Sequence, residues 1–182
     1  MSQRYEIRFS GAGGQGLITA GIILAEAASI IEGKSAVQSQ SYGPEARGGA
    51  SKSEVIISDG PIDYPKATIV DACLAMTQEA ANKYATGIKD GGLLLLDDDF
   101  VKDTPTGNFK VYRLPIMRMA KEDVGREIVA NVVALGAVVG MTGVVSREAA
   151  EEAVLRKVPE AFKDLNKKAF NLGFEKGKGL AN

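Results

Sequence analysis

Three glycines near the amino terminus, Gly11, Gly13 and Gly16, restrict most strongly what this chain can fold into. They stand in the segment GAGGQG, which follows an alternating apolar segment, residues 5–10, and precedes an Ala-, Leu- and Ile-rich segment, residues 17–33. The alternation predicts a strand, and the apolar-rich segment predicts a helix. Because glycine permits positive φ and close backbone approach, a glycine turn between a strand and a helix is typical of sheets covered by helices.

Strand-like and helix-like segments alternate through the first two thirds of the chain, which is 182 residues long. Further strands are predicted at residues 34–40, 51–59, 68–76, 91–99 and 108–115. Such alternation predicts parallel crossovers. We therefore expect the α/β class: a Rossmann-like layered sheet, mostly parallel, with helices on both faces and a helical C-terminal third. Because no linker, repeat or low-complexity segment interrupts the chain, residues 1–182 are expected to form one domain.

The C-terminal third is predicted to contain helices at residues 128–142, 146–157 and 159–176. The first of these is apolar nearly all round, which indicates burial on every side, either in the chain's own core or against another subunit. The last helix carries an apolar stripe, which predicts that it docks on the core. The stripe comprises Phe162, Leu165, Ala169 and Leu172.

The residue types that the chain lacks exclude several kinds of site. It has no histidine and one cysteine, Cys73. A Ser-His-Asp triad, an internal disulfide, and an iron–sulfur cluster or thiolate zinc site held by this chain alone are therefore excluded. Cys73 lies in an apolar segment and is expected to be an inert core residue. The formal net charge of −1 argues against a broad nucleic-acid interface.

Two further features of the sequence concern the compartment. The first residues, MSQRYEIRFSGAGG, lack the apolar core of a signal peptide. The longest apolar run, residues 128–141, is too short to span a bilayer. We therefore expect a cytoplasmic protein without a membrane partner.

The glycine loop is the first candidate site, an anion or channel site formed by Gly11, Gly13, Gly14, Gln15 and Gly16. The helix after it would offer free N–H groups to an anion. Dinucleotide binding also needs an acidic residue at the end of the second strand for the ribose. Residues 34–41 contain none, and Glu32 precedes that strand. The residues therefore favour a tight turn with at most a weak anion site over independent NAD(P) or FAD binding.

Three aspartates, residues 97–99, end the fifth predicted strand. Carboxylates can hold Mg²⁺, but successive strand residues point to opposite faces of a sheet. A solvated entry to a loop is therefore favoured over a metal site, and we expect no metal in this chain.

The segment SYGPEARGG, residues 41–49, is the second candidate site. It has no apolar periodicity, and its two glycines at the end permit close approach of another backbone. Ordered loops of this kind are disproportionately functional, although a plain connector is the alternative. The candidate residues, which would face a partner subunit or coenzyme A, are Ser41, Tyr42, Gly43, Pro44, Glu45, Arg47, Gly48 and Gly49.

Four segments together carry a family resemblance: GAGGQGLITAGIILAEAA, QSYGPEARGGASKSEVIIS, PIDYP and NVVALGAVVGMTGVVSREAAEEAV. Over residues 5–175 the chain resembles the gamma subunit of the 2-oxoacid:ferredoxin (acceptor) oxidoreductases. Its YGPEARGG segment is more similar to the 2-oxoglutarate or 2-ketoisovalerate type than to the pyruvate type, in which a doubled Arg commonly follows the Glu. The resemblance therefore implies 2-oxoglutarate as the expected substrate of the assembled enzyme.

The resemblance also implies a division of labour among subunits. The assembled enzyme would oxidatively decarboxylate a 2-oxoacid, transfer the acyl group to coenzyme A and reduce ferredoxin or a similar acceptor. Thiamine diphosphate, with Mg, would be held by the alpha and beta subunits, and iron–sulfur clusters by beta or a ferredoxin-like delta subunit. The gamma subunit would bind no cofactor alone. It would supply a subunit interface and part of the coenzyme A channel, with Arg47, Gly48, Gly49 and the glycine loop facing the partners.

Two alternatives stay open at this point. The chain could be a self-contained nucleotide-binding protein that uses the glycine loop, or a homo-oligomeric binding protein that uses the apolar helix, residues 128–142, as its interface. An apolar face made for partner subunits could also pair with itself, which would give a homodimer of the isolated chain.

Overall fold

A computed structural model describes residues 3–44 and 49–182 of the chain, and in this part six strands form one sheet in the order β2-β3-β1-β4-β5-β6. The strands are β1 (Arg4–Ala12), β2 (Ser35–Tyr42), β3 (Ala50–Ser58), β4 (Val70–Ala75), β5 (Ile88–Asp97) and β6 (Lys110–Leu114). Each of the predicted strands is present, with ends that differ by one to three residues from those expected. The expected α/β class is thereby confirmed.

Four strands, β1, β4, β5 and β6, run parallel to one another, as the alternation of strands and helices predicts. The other two strands correct the prediction of parallel crossovers throughout. β2 and β3 form an antiparallel pair, and β3 lies antiparallel beside β1. Only residues 43–49 separate β2 from β3 in the chain, so the two strands form a hairpin, which connections this short permit. The sheet is mixed but mostly parallel.

Helices cover both faces of the sheet, as expected. They are α1 (Leu17–Glu26), α2 (Gln78–Tyr84), α3 (Ile116–Arg118), α4 (Ala130–Thr142), α5 (Arg147–Lys157) and α6 (Lys163–Ala181). The larger core cluster contains residues of α1, α3, α4, α5 and α6, whereas α2 packs in a smaller cluster on β4 and β5. Within residues 3–44 and 49–182, no helix is both long and apolar enough to cross a membrane.

Helix α4 is buried within the chain's own core, which answers one of the open questions from the sequence. It packs closely on α6 because glycines lie at their contact. A Cβ atom at Gly136 would stand 2.3 Å from the backbone oxygen of Phe170, and one at Gly173 would stand 2.0 Å from that of Val133. Gly140 and Gly177 repeat the arrangement one turn further along. Only glycine permits this approach.

The buried face of α6 differs in part from the stripe expected there. Ala169 is buried, and Leu165 and Leu172 are partly buried against the core. Phe162, however, precedes the helix and is 50% exposed. The contact with α4 is made instead through Phe170 and the two small glycines, a face that a search for large apolar residues does not find.

Candidate functional site

The glycine loop lies at the end of the sheet that is formed by the carboxyl ends of the parallel strands. β1 ends at Ala12, and α1 begins directly after Gly16, which has a φ of 76°. Gly14 also has a positive φ, of 89°. Both values lie in the region that glycine adopts freely, so the turn from β1 into α1 needs glycine at these positions.

Several backbone N–H groups of the loop are satisfied within the protein. The Ala12 N–H donates to Oε1 of Gln15 at 2.7 Å, and the Gln15 N–H donates to the carbonyl of Ala12 at 3.2 Å. The Gly13 N–H donates to the carbonyl of Gly49 at 3.0 Å. Gln15 therefore folds back over its own loop. The N–H groups of Ala12, Gly13 and Gln15 are therefore bonded within the protein, and the anion site at this loop stays a prediction.

Close packing explains two of the glycines, with helix α4 against Gly16 and the side chain of Gln15 against Gly11. A Cβ at Gly16 would lie 2.7 Å from Nδ2 of Asn131, and that nitrogen donates a hydrogen bond to the Gly16 carbonyl at 3.2 Å. A Cβ at Gly11 would lie 2.3 Å from Oε1 of Gln15. Both contacts are shorter than packed atoms allow, so the glycines here serve the close packing of loop, helix and side chain.

A cavity of about 650 Å³ opens beside the loop. Gly13 to Gly16 form one side, and the other side is formed by Phe100, Met117, Glu127, Ile128, Ala130 and Asn131. Ile128 is 84% exposed and Phe100 is 53% exposed. Apolar side chains with this exposure around a cavity are typical of a surface that another molecule covers. The carboxylate of Glu127 disfavours an anion on that side.

The described part of the segment SYGPEARGG lies next to the glycine loop. β2 runs in the same direction as β1 and ends at Tyr42, and the Gly43 N–H donates to the carbonyl of Ala50 at 3.0 Å. Gly49 accepts the bond from Gly13 described above. Tyr42 is 65% exposed and lines a smaller cavity, of about 230 Å³, together with Gly13, Gly14 and Gly16.

The predicted residues thus meet in part. The structure brings Gly13, Gly14 and Gly16 together with Tyr42 and Gly49, and Ser41 and Pro44 flank Tyr42 and Gly43 in the chain. Glu45, Arg47 and Gly48, which belong to the same prediction, lie outside the described residues, so their part of the candidate site stays a prediction.

Asp97 corrects the expectation that the three aspartates form a solvated entry to a loop. Its side chain is fully buried, whereas Asp98 is exposed. Oδ1 accepts the N–H groups of Asp99 (2.9 Å) and Phe100 (3.2 Å), and Oδ2 accepts that of Met117 (3.0 Å). Burial raises the pKa of this carboxyl, and the three N–H donors oppose that rise. Asp97 therefore holds the Phe100 and Met117 backbone at the cavity wall.

Residues that could hold a metal are sparse. Among the residues that the structure describes, no three His, Cys, Asp or Glu side chains are grouped as metal ligands would be. Cys73 is buried, and burial raises the pKa of its thiol to about 11. A protonated, enclosed thiol is a poor metal ligand and a poor nucleophile, which confirms the inert core residue expected from the sequence.

Six cavity residues escaped the sequence analysis as site residues: Phe100, Met117, Glu127, Ile128, Ala130 and Asn131. Asn131 carried a usable signal, because it is the polar residue in an otherwise apolar helical segment. Phe100 follows the end of a buried strand, a position at which ligand-binding residues gather in α/β sheets. Ile128 had no such signal, since an apolar residue in an apolar segment is expected to be buried.

Comparison with known proteins identifies the family. The chain matches the model of the pyruvate ferredoxin/flavodoxin oxidoreductase family over residues 6–176. The chain belongs to this family. It is 48% identical to the 2-oxoglutarate synthase subunit KorC of Methanocaldococcus jannaschii, over 99% of this chain and 97% of the relative. The resemblance to 2-oxoacid:ferredoxin oxidoreductase gamma subunits is thereby confirmed.

Two solved structures of this family have the same fold. The gamma subunit of a keto/oxoacid ferredoxin oxidoreductase from Geobacter sulfurreducens is 66% identical, with a TM-score of 0.91, over 97% of this chain and 98% of that one. A 2-oxoglutarate:ferredoxin oxidoreductase from Magnetococcus marinus, solved with 2-oxoglutarate, coenzyme A and succinyl-CoA, is 26% identical, with a TM-score of 0.81. The match covers 98% of this chain but 31% of the Magnetococcus chain, so this family member corresponds to one part of that longer chain.

Proposed function

We propose that this chain is the gamma subunit of an enzyme that oxidatively decarboxylates 2-oxoglutarate, transfers the succinyl group to coenzyme A and passes the two electrons to ferredoxin. The identity of 48% to a 2-oxoglutarate synthase subunit along nearly the whole of both chains supports this substrate. It also agrees with the YGPEARGG segment, which resembles the 2-oxoglutarate and 2-ketoisovalerate types.

The part of this chain in that enzyme would be to form a subunit interface and one side of the coenzyme A channel. One observation carries the proposal: the glycine loop and the described ends of the SYGPEARGG segment lie together at the end of the sheet where β1 and β2 finish, joined by the Gly13–Gly49 hydrogen bond. The described chain positions before and after Arg47 therefore lie beside the loop. A guanidinium there would suit the phosphates of coenzyme A, which Arg binds through paired, charge-assisted hydrogen bonds.

The redox and thiamine chemistry would belong to partner subunits. A cluster needs several thiolates, and this chain has one cysteine, which is buried. The residues of this chain therefore do not fit an iron–sulfur cluster. The proposed partners are alpha and beta subunits, with a ferredoxin-like delta subunit as a further one and ferredoxin as acceptor. The cytoplasmic location stays a prediction.

The assembled enzyme tests the substrate. We expect the complex of this chain with its partner subunits to reduce ferredoxin only when a 2-oxoacid and coenzyme A are both present. The kcat/KM for 2-oxoglutarate should exceed those for 2-ketoisovalerate and pyruvate. A higher kcat/KM for either of the other two acids would contradict the proposed substrate while leaving the family intact.

Arg47→Ala in the same complex tests the coenzyme A channel. Loss of charge-assisted hydrogen bonds is worth about 1.5–3 kcal/mol, so the KM for coenzyme A should rise by about tenfold or more while the KM for 2-oxoglutarate stays unchanged. Arg47→Lys should recover part of the loss, because a lysine keeps the charge but not the planar fork.

Arg156→Ala is the matched control, since Arg156 lies on α5 in an exposed pair with Glu152. It should leave both KM values unchanged. If Arg47→Ala assembles normally and binds coenzyme A as the wild type does, Arg47 has no part in the channel.

A further inference from the structure

The outer side of β2 is an open edge of the sheet. β2 comes first in the strand order of the described residues, so β3 is its neighbour on one side only. Its eight residues, SAVQSQSY, include no charged residue, no proline and no glycine. The half from Ser39 to Tyr42 is exposed. A long, uncharged edge strand presents a row of backbone donors and acceptors that another strand can pair with.

The β2–β3 register shows which residues of β2 point to that open side. The Gly43 N–H donates to the carbonyl of Ala50, which pairs these two residues through hydrogen bonds. In an antiparallel pair such positions alternate, so the odd-numbered residues of β2 bond to β3. The even-numbered residues therefore direct their N–H and C=O groups outward; they are Ala36, Gln38, Gln40 and Tyr42.

The opposite edge of the sheet is different. β6 has five residues, of which Lys110 and Arg113 are charged, and Pro115 follows it directly. Short length, positive charge and an adjacent proline are features by which proteins prevent pairing at a sheet edge. β2 has none of these features. The sheet is therefore protected against pairing at the β6 edge but not at the β2 edge.

We propose that β2 pairs antiparallel with β2 of a second copy of this chain around a two-fold axis, which extends the sheet across two protomers. The even-numbered residues must bond to each other, and this requirement selects one register that uses all of them. Gln38 then faces the partner's Gln40, and Ala36 faces the partner's Tyr42. Ser39 lies on the axis and faces the partner's Ser39 in a position without hydrogen bonds.

The second copy, rather than another protein, is the occupant that the charges favour. A two-fold axis brings identical residues and their neighbours together, so any charge near it would face its own copy. β2 carries no charge along its whole length, so no like charges are brought together on this strand. This inference does not rest on the proposed function, because it concerns the isolated chain, although Ser41 and Tyr42 belong both to β2 and to the SYGPEARGG segment.

The mass of the isolated chain tests the pairing. Light scattering after size exclusion should show a mass that rises to that of a dimer as concentration increases. Gln40→Pro removes one outward N–H without touching the β3 ladder, as proline does at an edge. Because symmetry removes the donor from both copies, we expect dimer dissociation to rise at least about tenfold. Gln40→Ala keeps the N–H and should dimerise like the wild type.

A crosslink tests the register. Residues facing each other without hydrogen bonds in an antiparallel pair lie about 4.5 Å apart at Cα, a distance that a disulfide spans. Ser39→Cys should therefore form a covalent dimer under mild oxidation, visible in a non-reducing gel. Ser41→Cys should not, because Ser41 would face the partner's Val37 and lie about 13 Å from the same substituted position of the partner. Cys73 is buried and does not compete.

Several results would overturn the proposal. A chain that stays monomeric at all concentrations, or a dimer that tolerates Gln40→Pro, rules out the β2 edge. Equal crosslinking at positions 39 and 41 rules out the register. If the isolated chain is monomeric and Gln40→Pro instead prevents assembly with the alpha and beta subunits, another subunit occupies this edge and the proposed occupant is wrong.

Discussion

Replacement of the buried carboxylate Asp97 by alanine should destabilise the chain by about 3 kcal/mol. The carboxylate accepts three backbone N–H groups, from Asp99, Phe100 and Met117. An N–H group that loses its buried partner costs about 1–3 kcal/mol. Because Phe100 is half exposed and the other two residues are partly buried, water can reach these groups, and about 1 kcal/mol for each is the reasonable value.

Denaturant unfolding of the full chain, followed by far-ultraviolet circular dichroism, measures this loss, since the chain has no tryptophan to serve as a fluorescent probe. Asp98→Ala is the matched control: Asp98 is the next residue, is exposed and forms a long 3.4 Å pair with Arg113. It should change the free energy of unfolding by less than about 1 kcal/mol. An equal effect of the two substitutions would refute the role assigned to Asp97.

The pH dependence adds a second check on Asp97. Burial raises the pKa of this carboxyl above its ordinary value, so the folded chain binds the proton more tightly than the unfolded chain does. The stability that Asp97 contributes is therefore greatest below the ordinary pKa and declines as the pH rises through the raised pKa. The difference in unfolding free energy between wild type and Asp97→Ala should shrink over that window, whereas an increase with pH would show that the pKa is lowered instead.

Two further predictions concern the core. Gly173→Ala should lower the free energy of unfolding by about 1–3 kcal/mol or more, because the new Cβ would lie 2.0 Å from a backbone oxygen of α4. Gly179→Ala on the same helix meets nothing within 4 Å and should raise the free energy of unfolding by about 0.5–1 kcal/mol. Thermal unfolding of both variants measures the contrast, and equal effects would contradict the close contact of α4 and α6. Cys73, with a thiol pKa of about 11, should react with a thiol reagent at least about 100-fold more slowly in the folded chain than in denaturant, and similar rates in the two states would mean that it is accessible.

Local signals in the sequence predicted the parts of the fold that local chemistry decides. α2 begins after Thr77, whose hydroxyl accepts the Ala80 N–H at 3.2 Å. α5 begins after Ser146, whose hydroxyl accepts the Ala149 N–H at 3.1 Å. Both starts follow from local sequence, because a capping side chain and the N–H that it accepts lie within one turn of the same helix. The glycine turn between β1 and α1 was predictable for the same reason.

Contacts between distant residues were not predictable in this way. The alternation in β1 suggests one buried face, yet its polar residues Glu6, Arg8 and Ser10 are buried as well. Arg8 pairs with Glu54 and also donates to the carbonyl of Tyr84, and these partners lie 46 and 76 residues away in the chain. A polar residue can be buried when it has hydrogen-bond partners. Partners this far away in the chain are brought close only by the folded structure, so the sequence pattern could not predict the burial.

The candidate site divides along the same line. The glycine loop and the segment from Ser41 to Gly49 were predicted because glycine, proline and isolated charges mark them in the sequence. Asp97 was placed wrongly, since its three donors come from a turn and from α3, which begins 19 residues later. The cavity wall at Phe100 and Ile128 depends on how the start of α4 packs near the carboxyl end of β5. No local sequence pattern predicts this contact between distant segments.

The β2–β3 hairpin explains why the glycine loop of this family member should not act as a dinucleotide site. In the dinucleotide-binding fold, β1 has a parallel strand on each side, and one of the two, the second strand of the chain, ends in the acid that binds the ribose. In this chain β4 is the parallel neighbour on one side, and the other side is the one that differs. Here the neighbour is β3, which runs the other way, so its first residues, Ala50 and Ser51, face the loop instead of a strand end. The Gly13 N–H is then bonded to Gly49, the residue that leads into this strand. The same hairpin thus brings Gly49 to the loop, and the glycines of the loop allow that contact and the close packing of Asn131 of α4 on Gly16.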